Sequence, residues 1–413
     1  MRNLMPILVL IAALSIVALG FMSGCVSIVV GVIGPAADRL VTVTFAVSIM
    51  ILTVVLGISI AWHAWRATQG YSSGAFQPRS IWLLGLGFVL ALGTGQLILL
   101  LGLLPEITFP LLHVAAAVLP ALFIVALVGR GLGGTSSWRD VVLQIGSGAF
   151  VSGPLAFALE AVTIMGLVIT VLIGVVLRPG GQEMIQKMLT YLNDPALLQD
   201  PTALTSVFMS PILVAAMFAV LAGLIPLIEE AVKTVGVGLM AYRQPTLSQA
   251  FLWGLAGGAG FSLVEGLLNT AGSVDSWAQV MLLRVGAMLL HCLTGALMGL
   301  AWHDVLTKRR WRYALGLYSA SVAIHGTWNA LTGALALISF RALGTNLAGG
   351  QEILAGAGAV AILGLLAALT GAMAFALRAL TLSVRKRSPA PIPSELQPAQ
   401  PLAEMGPSGG HVA

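Results

Sequence analysis

The chain has 413 residues, of which 58% are apolar and 8% charged, with a formal net charge of +5. Soluble chains carry about 25% charged residues, so 20 basic and 15 acidic side chains cannot cover the surface of a soluble body this long. The composition argues against a soluble enzyme, a nucleic-acid binder and a disordered chain, and for an all-α, polytopic bundle in a membrane. Forty-eight glycines suit helices that pack closely in lipid.

A helix needs about 20 apolar residues to cross a bilayer core of about 30 Å. Ten stretches qualify, near residues 4–24, 41–65, 81–104, 108–129, 150–177, 217–241, 250–272, 278–302, 313–338 and 355–381. The fifth and sixth belong to apolar runs longer than one crossing requires, and Pro154, Pro211 and Pro226 are the expected break points. The first stretch ends in Met22-Ser23-Gly24-Cys25, similar to a lipoprotein signal with Cys25 as the lipidated residue. An uncleaved first helix is the preferred reading. With two cysteines, Cys25 and Cys292, no disulfide framework follows.

Lys308, Arg309, Arg310 and Arg312 in one loop, and Arg378, Arg385, Lys386 and Arg387 after the last span, place both termini on the cytosolic side. The order is then N-terminal spans (1–177), an external connection (178–206) with an amphipathic helix around Met184–Leu192, a catalytic core (207–338), a last span (339–382) and a disordered tail (383–413).

Ionisable residues inside spans are costly, so each is a functional candidate. The first half offers His63, His113 and Glu160. The second half offers a set: Glu229, Glu230 and Lys233 on the sixth span, Glu265 on the seventh, Arg284 and His291 on the eighth, and His325 with Asn329 on the ninth. Counted from the cytosolic ends, the Glu and His residues lie at depths of roughly 17–22 Å at 1.5 Å per residue. Four successive helices thus hold polar groups in one layer. Lys233 is i,i+4 from Glu229 and i,i+3 from Glu230, so it can neutralise one of them. Phe261 shares a face with Glu265, Gly295 and Gly299 form a small-xxx-small pair beyond His291, and Trp328 shares a face with His325.

These residues form an ordered series: Pro226-x2-Glu229-Glu230-x2-Lys233, Gly257-x2-Gly260-Phe261-x3-Glu265, Arg284-x6-His291-x3-Gly295-x3-Gly299 and His325-x2-Trp328-Asn329. The series resembles the PrsW family of intramembrane proteases, which is similar to the CAAX prenyl endopeptidases. One departure is Gly266, where the family commonly has Asn after the Glu. The resemblance implies hydrolysis of peptide bonds in membrane-anchored proteins or peptides within the lipid bilayer, by a glutamate-activated water. The catalytic set would be Glu229, Glu230, Glu265, His291 and His325, supported by Lys233, Asn329, Phe261, Arg284 and Trp328.

In that scheme Glu229 or Glu230 is the base, His291 or His325 stabilises the oxyanion or protonates the leaving amine, and Asn329 is a candidate oxyanion donor. Glu265 orients a histidine. Trp328 packs His325, and Arg284 is either a site residue or a snorkelling anchor. No cofactor is required. The alternative within the same chemistry is zinc held by Glu230, Glu265, His291 and His325. Two other classes are a proton-coupled transporter, for which the first half shows no second Glu-Glu-x2-Lys set, and a catalytically idle scaffold. The basic pI and the N-terminal motif fit a bacterial inner membrane. Nucleic acid is not an expected partner, and sequence leaves the oligomeric state open.

Overall fold

The computed structural model describes residues 4–194, 211–344 and 350–388. The tail beyond 388 and the second half of the 178–206 connection lie outside these residues. The described residues are helical except for short turns and loops: α1 (Leu4–Ile33), α2 (Ala36–Thr68), α3 (Ile81–Leu101), α4 (Pro105–Gly131), α5 (Trp138–Ser147), α6 (Gly153–Val176), α7 (Gly181–Asn193), α8 (Pro211–Phe218), α9 (Ile225–Val232), α10 (Val235–Leu239), α11 (Leu247–Thr270), α12 (Trp277–Lys308), α13 (Trp311–Gly344) and α14 (Gly350–Arg387). The short helix expected around Met184–Leu192 is α7.

Nine helical stretches among the described residues are long and apolar enough to cross a membrane. They account for nine of the ten expected spans. The remaining one, 313–338, falls in α13, which has the length, at 34 residues. Its apolar character is diluted by Ser319, Ser321, His325, Thr327 and Asn329.

Helix starts follow local chemistry. Ser137 caps α5 by accepting the Asp140 amide, and Thr246 and Gln249 form a reciprocal capping box at the start of α11. The two breaks have one cause. A π-helical turn, Gly148–Ser152, precedes Pro154, and another, Ala219–Leu224, precedes Pro226. A π turn pairs each amide with the carbonyl five residues back, and the Ile225 amide bonds the Val220 carbonyl in this way. Pro226 has no amide for the next carbonyl, Leu221. Asn329 of α13 fills that place, its Nδ2 donating to the Leu221 oxygen at 2.9 Å.

The core is built around α11, buried along most of its length between α12, α4 and α5. Its crossing with α12 is a small-residue seam. A Cβ on Gly258 would run into the His291 carbonyl, and one on Gly295 would stand 2.5 Å from the Gly254 carbonyl oxygen and 3.1 Å from the Gly258 Cα. With only hydrogens there, the backbones approach as in close-packed membrane helices. This fixes α11 against α12 next to His291. The other early helices add layers, α1 against α2 and α3 against α4.

Candidate functional site

Glu229 and Glu230 leave α9 just after the Pro226 break and point to different partners, as neighbours on a helix must. Glu230 and Lys233 are both fully buried, and Lys233 Nζ donates to Glu230 Oε1 at 2.5 Å. The same oxygen lies 2.8 Å from His325 Nδ1. Lys233 Nζ also stands 2.9 Å from His291 Nδ1 and 3.2 Å from Thr294 Oγ1. On the far side of His291, Nε2 lies 2.7 Å from Glu265 Oε2. Arg284 Nη1 donates to Glu265 Oε1 at 3.1 Å, and Asn269 Nδ2 to the same atom at 3.4 Å.

Four helices, α9, α11, α12 and α13, thus contribute to one buried chain of contacts: Glu265, His291, Lys233, Glu230, His325. The partners set the histidine tautomers. Lysine is only a donor, so His291 accepts at Nδ1 and carries its proton at Nε2, toward Glu265. Glu230 is only an acceptor when ionised, so His325 carries its proton at Nδ1. Its bare Nε2 faces Glu229 Oε2 at 3.7 Å. The two imidazole rings meet edge to face, with centroids 5.1 Å apart. Phe261 lies against both His291 and Lys233, its ring centre 5.4 Å from the imidazole and 5.5 Å from Nζ.

The carboxylates differ. Glu230 has Lys233, and Glu265 has Arg284. Glu229 has neither, and its Oε2 meets His325 Nε2 only at 3.7 Å, beyond hydrogen-bond reach. Glu265 is the open edge, with its side chain 27% exposed against 9% for Glu229.

Several expectations need correction. Asn329 is held by the Leu221 carbonyl, so its amide serves the π turn. Trp328 packs against Gly286 of α12, where a Cβ would collide with its ring. Arg284 turns inward to Glu265, with 12% of its side chain exposed, rather than snorkelling. The predicted metal set also changes: Glu229, His291 and His325 bring one donor atom each within 4.8 Å of one another, whereas Glu230 and Glu265 stand behind the two histidines. Thr294, three residues after His291 on α12, joins the site through Lys233. His113 lies elsewhere, bonded by the Trp277 indole at 3.0 Å, and holds α4 to α12.

The group Glu229, His291 and His325 has the His2Glu chemistry of a catalytic zinc site. Glu265 and Glu230 sit behind the two histidines as carboxylates do behind metal ligands. One contact opposes this fit: the lone pair of His291 Nδ1 is already taken by the Lys233 ammonium. No curated protein and no solved structure matches the chain. A family model described as PrsW family intramembrane metalloprotease matches residues 136–348, more than half of the chain and all four site helices up to the end of the described part of α13, so the chain belongs to that family.

Proposed function

We propose that the chain cleaves peptide bonds of membrane-anchored proteins with a water activated by Glu229. The observation that carries this reading is the unequal pairing of three carboxylates around one buried site. Glu230 is neutralised by Lys233 and Glu265 by Arg284. Glu229 has no such cation among the described residues, and its Oε2 faces the bare Nε2 of His325. A weakly solvated carboxylate is a stronger base than one in an ion pair.

In the reaction, Glu229 takes a proton from water as its oxygen bonds to the scissile carbonyl carbon. Glu229 passes that proton to the bare Nε2 of His325, which delivers it to the departing amine nitrogen as the C–N bond breaks. Glu230 and Lys233 hold His325 and His291 in their tautomers. Glu265 holds His291 and lines the open edge where a peptide enters. The membrane is proposed to be a bacterial inner membrane, with the loop 309–310 and residues 385–387 on the cytosolic side.

A second reading rests on the donor cluster Glu229, His291 and His325. These residues would hold a zinc ion, which would polarise the carbonyl and acidify a bound water. Lys233 would then have to release His291 Nδ1.

The deciding experiment compares new protein N-termini by mass spectrometry in membranes with the wild type or with Glu229→Gln. Termini within or beside transmembrane segments that appear only with the wild type support the proposal. Equal termini with both proteins refute it.

A further inference from the structure

Arg284 uses only part of its guanidinium. Nη1 binds Glu265, while Nε and Nη2 are buried and hydrogen-bonded to nothing among the described residues. That Nε/Nη2 pair is the edge with which arginine makes two parallel hydrogen bonds. A buried donor without a partner costs about 1–3 kcal/mol, so two on one cation, beside the site, call for a ligand. Arg284 lies seven residues before His291, on the same face of α12. Glu265 bonds both residues, so the open edge is coupled directly to the catalytic layer.

This edge lies beside α11 at a glycine. A Cβ on Gly266 of α11 would stand 4.0 Å from both Nε and Nη2.

We infer that the Nε/Nη2 edge of Arg284 binds a main-chain carbonyl oxygen of the substrate peptide, next to the bond being cleaved. Charge favours this ligand over an anion. Glu265 already neutralises the guanidinium, so the edge suits a neutral acceptor with two lone pairs. A phospholipid headgroup carries a phosphate anion, so the same neutralisation by Glu265 argues against it. The inference rests on the protease reading and adds Arg284 and Gly266 as substrate-positioning residues.

The test uses the full-length protein in detergent micelles and a fluorescent transmembrane peptide from a substrate found by terminus profiling. Cleavage kinetics are measured for wild type, Arg284→Lys and Gly266→Ala, and peptide Kd is measured in the inactive Glu229→Gln background. Arg284→Lys keeps the charge near Glu265 but loses the two-pronged edge. Gly266→Ala keeps Arg284 intact, and its methyl fits, standing 3.4 Å from Met288 Cε, but it narrows the space beside the edge, at 4.0 Å from Nε and Nη2. Both variants are expected to raise KM and Kd by about tenfold, the scale of one lost hydrogen bond to a charged group, with a larger change in KM than in kcat. Wild-type Kd and KM in both variants would overturn the inference while leaving the protease reading intact. Loss of phospholipid from Arg284→Lys in native mass spectrometry, with unchanged peptide Kd, would also overturn it by assigning the edge to a headgroup. Absence of any cleavage by the wild type would remove the protease reading and this inference together.

Discussion

Replacing Gly295 with alanine tests how closely the site depends on the seam between α11 and α12. The new Cβ would stand 2.5 Å from the Gly254 carbonyl oxygen and 3.1 Å from the Gly258 Cα. Both neighbours are backbone, so no rotamer change relieves the overlap. Real Cβ atoms essentially never come nearer than 3.0 Å, and ordinary contact begins at 3.4 Å. The helices must therefore separate locally by about 0.5–0.9 Å. Carried one turn along α12, the same opening lengthens the His291–Glu265 contact from 2.7 Å to roughly 3.2–3.6 Å, the limit of a hydrogen bond. Overpacking of this kind costs about 1–3 kcal/mol. A displacement near 1 Å at a catalytic group costs up to about 10²-fold in rate. The assay is cleavage of a profiled substrate, with thermal unfolding in detergent followed in parallel. Gly316→Ala is the control, because a Cβ there meets nothing within 4 Å. It should leave both readouts near wild type. If Gly295→Ala cleaves and melts like the control, the close approach of the two helices does not set the site.

Glu229→Gln should lower kcat by about 10²–10⁴-fold, the usual span for a general base, and leave the unfolding temperature within a few degrees of wild type; retained activity would move the base to Glu230 or Glu265. Lys233→Met leaves the buried Glu230 carboxylate without its cation and should destabilise the protein by about 3–5 kcal/mol, whereas adding Glu230→Gln should restore much of that loss. Equal unfolding temperatures for the single and double variants would contradict the neutralising role of Lys233. In the glutamate mechanism, purified active protein should contain substoichiometric zinc and keep its activity after prolonged chelation. One zinc per chain, lost together with activity in Glu229→Gln, would establish the metal reading instead.

The membrane architecture was legible because long apolar runs and prolines act locally. Pro154 and Pro226 mark the breaks, and each break is a π turn. The convergence of Glu229, Glu230, Glu265, His291 and His325 was also legible, because a polar group in a span has few tolerable places. Membership in a peptidase family displaces the transporter reading. The choice of partners was not legible. Lys233 satisfies the helical spacing for both Glu229 and Glu230, and only the positions of His291 and Thr294 on another helix decide for Glu230. Asn329 looked like an oxyanion donor because nothing in its own helix shows that Leu221, 108 residues earlier, lacks a partner for its carbonyl. Trp328 is placed by the missing side chain at Gly286, again on another helix. These are contacts between distant segments, which periodicity and spacing within one helix do not encode.

The central position of α11 also bears on how the protein enters the bilayer. Among the nine span candidates it is the least apolar and the most enclosed by other helices. Lipid alone holds such a segment weakly, since bilayer residence depends on apolar surface. Its retention falls to α4, α5 and α12, which bury it. The α4 and α5 segments are synthesised before it and α12 after it. Glu265 therefore reaches His291 only once the following helix has been made and docked. The order of synthesis thus acts as a timer, and a half-translated chain in the membrane contains no assembled proteolytic centre.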